Sequence, residues 1–312
     1  MTITAYYDPG YAARLAALFG KHVMAITKFS MVADGLRERP GIRLERPEPA
    51  SEADLLRVHT KEYVDAVRTG EPRALAESQK FPWTPELYPS VCLTNGGVIA
   101  ASRRALRDGA AAAVASGFHH SHADHGEGFC TFNGLVVAAE ALRTAGELST
   151  VAVFDMDLHY GNGTAALATT RPWLVNVSLY GNDYHQNKPY SDVTVLHHAD
   201  GPNHRSIALP NGCRRDGMLA VMEQGLPLLL EQGRPDLVIY QAGADPYRED
   251  PYSPLDLDHD DLRERDRLVF AFAKAEGLPI AWVLAGGYTE DTRKVVQVHL
   301  NTFDAALDVF GA

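Results

Sequence analysis

The feature that most constrains the fold is a series of short, almost wholly apolar runs separated by longer segments with helical spacing. The runs cover residues 151–154, 174–177, 237–240 and 279–284. An uninterrupted apolar run is typical of a strand buried on both faces, as in a parallel sheet covered by helices. Helical spacing falls before and between the runs, at residues 134–145, 217–232 and 260–275. This alternation predicts an α/β fold, with one doubly wound, mainly parallel β-sheet flanked by helices.

The chain gives no sign of a division into two units. Its 312 residues contain no internal repeat, no low-complexity tract and no long Pro/Gly/Ser linker, so we expect one domain over residues 1–312. The first hundred residues are predicted to be mostly helical, notably 52–69, and to pack over the sheet. The long polar segment 180–200 is predicted to be a functional loop, because loops of that length in compact domains often are.

Charge and cysteine usage narrow the possible partners and compartment. The chain carries 29 basic and 40 acidic residues, for a net charge of −11, which disfavours nucleic acid as a partner. Cys92, Cys130 and Cys213 are too far apart for a disulfide framework or a CxxC metal site. No apolar stretch is long enough to span a membrane, and the start lacks the pattern of a signal peptide. We therefore expect a cytoplasmic protein without a membrane span.

Polar residues cluster directly after two of the apolar runs. Asp155, Asp157 and His159 follow the first run, and Asp245 follows the run 237–240. Side chains alternate along an extended backbone, so the first three share one face, and ligands bind beyond the carboxyl ends of parallel strands. An Asp/His/Asp set leaves one coordination position open, as catalytic zinc sites do. The alternative is that each residue only caps a helix or stabilises a turn.

Four of the thirteen histidines fall within seven residues, at His119, His120, His122 and His125. In a loop two adjacent imidazoles can both face a reacting water, and imidazole is the usual acid or base near pH 7. The alternative is a surface loop with adventitious metal affinity, which is the favoured interpretation for His122 and His125. A third site follows the run 279–284, where two glycines permit a tight turn that presents Tyr288. Taken alone, this pattern is more typical of an ordinary turn than of a functional site.

Taken together, these clusters resemble the zinc-dependent histone deacetylase family of the arginase-deacetylase fold, from about residue 5 to about residue 305. The order and spacing of the clusters are more specific than any one motif. Matching segments are 58–63, 117–120, 128–130, 155–163, 241–245 and 286–288. The chain looks most like class IV histone deacetylases and their bacterial relatives.

The resemblance implies a role for each matching residue. It makes His119 and His120 the tandem acid/base pair, Tyr288 the residue that polarises the substrate carbonyl, and Asp157, His159 and Asp245 the ligands of one Zn²⁺. Asp155 would orient His119. Asn162 stands where some members have an Asp that orients His120, and a neutral amide cannot raise the basicity of His120 as a carboxylate would.

The resemblance also implies a structural K⁺ site and a substrate channel. The K⁺ ligands would be the side chains of Asp155 and Ser178 and the backbone carbonyls of Asp157, His159 and Leu179. Gly128 and Phe129 would line the acyl channel, with Cys130 as a small packed residue at its foot. Tyr252 replaces the usual Leu or Met of the pocket, and its ring is expected either to form the pocket wall or to lie at the rim.

The implied activity is hydrolysis of Nε-acyl-lysine in peptides or proteins. The resemblance to class IV relatives, which are associated with long-chain acyl groups, extends the candidate acyl groups beyond acetyl. An acylpolyamine or another acylated amine is the alternative substrate, for which Glu249 or Asp250 would pair with the ammonium. A binuclear ureohydrolase is disfavoured because Gly161 and the residues after Asp245 supply no bridging carboxylate, and a silent metal-binding module has no need of the tandem histidines. The physiological metal, zinc or ferrous iron, and the oligomeric state stay open.

Overall fold

The structure, a computed structural model, describes residues 2–11, 26–183 and 201–311. It contains one eight-stranded sheet whose strands are all parallel. The strands are β1 (Ile3–Tyr6), β2 (Ile42–Glu45), β3 (Ala110–Ser116), β4 (Val151–Asp155), β5 (Leu174–Tyr180), β6 (His204–Ala208), β7 (Leu237–Ala242) and β8 (Ile280–Leu284). Their order across the sheet is β2-β1-β3-β8-β7-β4-β5-β6.

Helices connect and cover the strands, as a parallel sheet requires. The helices are α1 (Lys28–Leu36), α2 (Glu52–Leu56), α3 (Lys61–Thr69), α4 (Arg73–Ala76), α5 (Leu87–Asp108), α6 (Gly134–Thr144), α7 (Asn162–Ala168), α8 (Arg215–Leu228), α9 (His259–Ala275) and α10 (Thr292–Phe310). The long helix α5 packs across β1, β3 and β8, whereas α9 and α10 pack against each other. The α/β fold with a doubly wound parallel sheet is thus confirmed.

The four predicted strands and the three predicted helices that separate them are all present, with shifts of a few residues at their ends. Strand β5 runs three residues beyond its apolar core, through Ser178 to Tyr180. Helix α8 ends at Leu228, four residues before the predicted end. Apolar runs therefore locate the centres of elements well and their ends less well.

The prediction for the first hundred residues is wrong in two respects. Strands β1 and β2 form one edge of the sheet, so this part does not merely pack over it. The predicted helix 52–69 is two helices, because Thr60 is extended and its side chain accepts a hydrogen bond from the backbone N–H of Tyr63, which starts α3 afresh. The predicted loop 180–200 lies outside the described residues from 184 onward.

Strands β3, β8, β7 and β4 are direct neighbours in the sheet. Since they are parallel, the segments that follow them meet at one edge: residues 117–120 after β3, 286–288 after β8, 243–245 after β7 and 156–159 after β4. The fold therefore brings all three motif clusters to one place, as expected for an open parallel sheet.

A buried ion pair on α9 supports this edge from below. The Arg265 Nε donates to Asp266 Oδ1 at 2.8 Å, and its Nη1 donates to the carbonyls of Gly243 at 2.7 Å and Met156 at 3.2 Å. Both side chains are almost fully buried. Arg265 thereby ties α9 to the two turns that carry the predicted metal ligands.

Within the described residues, none of the helices has the length and apolar composition needed to cross a bilayer.

Candidate active site

The predicted metal ligands Asp157, His159 and Asp245 converge on one buried point. The His159 Nδ1 lies 3.3 Å from Asp157 Oδ1 and 3.0 Å from Asp245 Oδ2. One ligand atom of each residue lies within 4.8 Å of the others, and all three residues are buried. The spacing and the donor types suit a divalent ion with three protein ligands and one open position.

Backbone groups fix the two carboxylates. Gly286 N–H donates to Asp157 Oδ2 at 2.8 Å, and Leu158 N–H donates to Asp245 Oδ1 at 3.0 Å. A Cβ at position 286 would lie only 1.9 Å from Asp245 Oδ2, so glycine is required for this close approach. The turn after β8 is therefore shaped to hold the carboxylates as well as to present Tyr288.

The electrostatics of the triad call for a positive charge. Burial alone would lower the pKa of His159, but hydrogen bonds to Asp157 and Asp245 raise it to about 10. Burial, together with the charge of Asp157, raises the pKa of Asp245. A divalent cation bound by the three residues would balance the two carboxylates and take the place of the proton on His159.

The two adjacent histidines have different partners. The Nδ1–H of His119 donates to Asp155 Oδ2 at 2.7 Å, and the Nδ1–H of His120 donates to Asn162 Oδ1, also at 2.7 Å. The ring centroids lie 4.0 Å apart, and His119 Nε2 lies 3.6 Å from Asp157 Oδ1. In the neutral form of each ring, Nε2 is then the basic nitrogen.

These partners separate the proton affinities of the pair. Burial opposes protonation of His119, but the charges of Asp155 and Asp157 outweigh it and raise the pKa of His119. Burial and the neighbouring His119 and His159 lower the pKa of His120 well below its usual value. The site thus holds one imidazole that favours its protonated form and one that favours its neutral form.

Tyr288 is held by two residues, Asp250 and Lys28, whose supporting role was not predicted from the sequence. Its N–H donates to Asp250 Oδ2 at 2.6 Å. Lys28, buried on α1, donates from Nζ to the carbonyls of Ala285 at 2.6 Å and Gly286 at 2.9 Å. Burial raises the pKa of Tyr288 well above its usual value, so its hydroxyl stays protonated and able to donate a hydrogen bond.

The predicted channel residues Gly128 and Phe129 line a cavity together with His119, His120, Asp157 and Tyr288. Both have positive φ, at 49° and 64°, a strained conformation for Phe129. Cys130 also lines this cavity, and burial raises the pKa of its thiol well above the usual value. A neutral, buried thiol agrees with a packing role.

Tyr252 contacts the centre of the site. Its ring centroid lies 5.2 Å from that of Tyr288 and 6.0 Å from that of His159. Of the two expectations for Tyr252, this geometry favours the pocket wall.

The residues predicted to bind K⁺ lie side by side, because Asp155 pairs with Ser178 in the register of β4 and β5. Asp155 Oδ1 accepts the N–H of Asp157 at 3.0 Å, and both Asp155 and Ser178 are buried. The K⁺ site stays a prediction.

Glu127 is a further part of the site that the sequence analysis did not assign. Its Oε2 accepts a hydrogen bond from Asn162 Nδ2 at 2.7 Å, while the Oδ1 of the same amide faces His120. Burial alone would raise the pKa of Glu127, but the neighbouring His122 and Asn162 lower it. The spacing of Glu127 from the histidines, H-x-x-H-x-E over residues 122–127, was the signal that could have identified it.

Comparison with known proteins agrees with this fold and site. The model of the histone deacetylase domain matches residues 22–303, and the chain belongs to this family of hydrolytic deacetylases. An uncharacterized protein of Picosynechococcus is 30% identical, over 97% of this chain and 98% of its own. The histone deacetylase-like amidohydrolase of Pseudomonas aeruginosa is 30% identical, over 80% and 67%.

Two further similarities are to a relative that is matched over a shorter segment and to a solved structure. The acetylpolyamine amidohydrolase of Burkholderia pseudomallei is 31% identical, over 60% of this chain and 54% of its own. The crystal structure of the HDA15 HD domain has a TM-score of 0.77, with 20% identity over 97% of this chain and 90% of that one, and shows the same fold.

Proposed function

We propose that this chain is a single-domain, zinc-dependent deacylase that removes acyl groups from Nε-acyl-lysine in peptides or proteins. The observation that carries the proposal is the convergence of the Asp157/His159/Asp245 triad, the tandem histidines and Tyr288 on one cavity edge. Each group matches one requirement of amide hydrolysis: an electrophile, an acid and a base, and a donor to the oxyanion.

The triad would hold the metal through two carboxylate oxygens and the Nδ1 of His159. A Zn²⁺ ion bound there supplies a Lewis acid for the scissile carbonyl and lowers the pKa of the attacking water. The neighbouring Asp155 and Ser178 would contribute side-chain oxygens to a K⁺ site. The family as a whole is generally metal-dependent, and oxygen and imidazole ligands suit zinc.

The histidines divide the proton transfers between them. His120, whose pKa is lowered by burial and by its cationic neighbours, is neutral near pH 7 and accepts the proton of the attacking water at Nε2. His119, whose pKa is raised by Asp155 and Asp157, donates a proton to the leaving amine. The Tyr288 hydroxyl donates a hydrogen bond to the oxyanion, where one such donor contributes on the order of 3 kcal/mol to transition-state stability.

The surroundings of the cavity favour acyl-lysine over acylpolyamine. The two carboxylates that could pair with a polyamine ammonium have other partners: Glu249 binds Lys294 and the hydroxyl of Tyr247, and Asp250 accepts the N–H groups of Tyr252 and Tyr288. Gly128 and Phe129 provide a narrow wall for the apolar stem of lysine. The net charge of −11 attracts cationic peptides and polyamines alike, so the preference rests on the pairing of Glu249 and Asp250 and on the channel.

The acetylpolyamine activity in the name of one relative makes the polyamine the second candidate. Steady-state kinetics on matched acetyl-lysine, long-chain acyl-lysine and acetylpolyamine substrates decide between the two. We expect the larger kcat/KM for an acyl-lysine peptide, with the acyl length set by comparing the first two. A kcat/KM at least about tenfold higher for the polyamine, equivalent to about 1.4 kcal/mol, would reverse the assignment.

A matched blank is needed because host hydrolases also cleave acyl-lysine. Tyr288→Phe removes one hydroxyl and leaves the metal ligands and the Asp250 contact to the backbone in place. Activity that falls in this variant belongs to this chain and not to a host hydrolase. Full activity of the variant on every substrate would refute the proposed mechanism.

A further inference from the structure

A second group of metal-binding side chains lies in the loop between β3 and α6. His122, His125 and Glu127 each offer a ligand atom, and these atoms lie within 4.8 Å of one another. The distances from His122 Nε2 to Glu127 Oε2 and from His125 Nε2 to Glu127 Oε1 are both 3.7 Å. These are too long for hydrogen bonds but close to the distance of about 3.4 Å between two ligands of a tetrahedral zinc ion.

The orientation of the imidazoles also suits a metal. Asp124 Oδ1 accepts the Nδ1–H of His125 at 2.7 Å, which fixes the tautomer that has its lone pair on Nε2. A carboxylate behind the second nitrogen is the usual support of a metal-binding histidine. The rings of His122 and His125 stack with their centroids 4.5 Å apart and an angle of 6° between their planes, and the Nε2 atom of each lies 3.7 Å from an oxygen of Glu127.

The loop that carries the three residues is held in shape without a metal. The backbone N–H of His122 donates to the carbonyl of His125 at 2.9 Å, and His59 Nδ1–H donates to the carbonyl of His122 at 2.8 Å. A Cβ at Gly126 would lie 2.6 Å from the hydroxyl of Tyr63, so the turn between the second histidine and Glu127 requires glycine. Because the ligands are already positioned, binding costs little ordering entropy.

We propose that His122, His125 and Glu127 form a second divalent metal site, distinct from the triad and selective for a borderline cation such as Zn²⁺. The local charge favours a cation, because Glu127 and Asp124 are both carboxylates. Three protein ligands leave one position for water, and all three side chains keep some exposure, which gives the ion access from solvent.

A metal ion in the second site would affect the active site through Asn162, which contacts both. Its Nδ2 donates to Glu127 Oε2 at 2.7 Å and lies 3.3 Å from His122 Nε2, while its Oδ1 accepts from His120. A cation bound by Glu127 competes with Asn162 for the Glu127 carboxylate and so weakens the contact that holds this amide against His120. This coupling, unlike the binding itself, rests on the proposed role of His120 as general base, and it predicts slower turnover when the second site is filled.

Metal content measured on the full chain tests the binding. After dialysis against about 10 μM free Zn²⁺, a concentration that fills a micromolar site, elemental analysis should give two zinc ions per wild-type chain and one for His125→Ala. The variant Asp245→Ala should also retain one ion, in the second site. Equal zinc content in the wild type and in His125→Ala would overturn the second site, whatever the result for Asp245→Ala, which tests the triad separately.

A conservative pair of variants guards against effects on folding. Glu127→Gln keeps an oxygen acceptor for Asn162 but loses the charge, and Glu140→Gln is its control on a carboxylate of similar burial, paired with Arg171. We expect Glu127→Gln to lose the second zinc ion and Glu140→Gln to keep it. Added zinc should slow turnover of the wild type and not of His125→Ala; an equal response would overturn the coupling through Asn162.

Discussion

Lys28 is a buried ammonium that contacts the turn carrying Tyr288, and its burial predicts how the stability of the protein changes with pH. Its Nζ is fully enclosed and donates to the carbonyls of Ala285 and Gly286. Burial lowers the pKa of Lys28 from 10.5 to about 8, although the charges of Asp245 and Asp157 oppose this. A shift of this size corresponds to about 3.4 kcal/mol of destabilisation while the group is charged in both states.

The sign of the pH dependence follows from which state holds the proton. Below about pH 8 both states are protonated and the native state bears the full penalty. Between about pH 8 and 10.5 the unfolded chain keeps the proton that the native chain has lost, so the stability of the wild type rises with pH. From about pH 7 to about pH 10 this gain is about 2.5 kcal/mol.

Lys28→Met retains most of the side-chain volume and abolishes this titration. Urea unfolding of the metal-free wild type and variant at several pH values gives the difference in their unfolding free energies. We expect this difference to change in favour of the wild type by about 2.5 kcal/mol between about pH 7 and about pH 10. Lys274→Met, which removes an exposed ammonium that donates to the Val309 carbonyl, is the control. Parallel pH profiles for wild type and Lys28→Met would refute the reasoning.

Three shorter predictions concern the metal, the oxyanion and the support of the site. Asp245→Ala should lose the triad metal, because two ligands are too few for a stable tetrahedral site; elemental analysis of His125→Ala/Asp245→Ala, expected to hold no zinc, checks this. Tyr288→Phe should keep metal and fold but lower kcat by about a hundredfold or more, and near wild-type kcat would exclude the hydroxyl as donor. Arg265→Met should destabilise the chain by about 3–5 kcal/mol in urea unfolding, since it leaves the Asp266 carboxylate buried without its cation, and a loss below about 1 kcal/mol would contradict this.

The sequence predicted the parts of the molecule that depend on local pattern and on the geometry of parallel strands. Asp155, Asp157 and Asp245 were placed together because polar residues that follow buried parallel strands must meet at one edge. Strand β3 was not predicted, since it consists mostly of alanines, with Val114 as its one β-branched residue and no alternation of apolar and polar residues. The edge strand β2 and its neighbour β1 have only four residues each, too few to show a periodic pattern of apolar residues.

The residues that support the site were missed for a different reason. Lys28 and Gly286 are 258 positions apart, and nothing local to Lys28 indicates that its ammonium is buried. Asp250 likewise follows the triad in a turn where a carboxylate would normally be solvated. Such contacts arise only when distant segments pack, so a single sequence contains no pattern from which to infer them.

The hydrogen bond between Asn162 and Glu127 accounts for the presence of an amide beside His120, and it leads to a last prediction. The amide fits between two fixed groups, because only its oxygen can accept from His120 and only its nitrogen can donate to the Glu127 carboxylate. Asn162→Asp would place two carboxylates in contact, so the pair would share one proton. The carboxylate beside His120 would then carry a full negative charge only part of the time. The double variant Asn162→Asp/Glu127→Gln leaves that carboxylate ionised. We therefore expect the acid limb of kcat/KM to move to higher pH in both variants, and further in the double variant, by about one unit or more, because a raised pKa keeps His120 protonated. An acid limb that stays in place in both variants would show that His120 is not the general base.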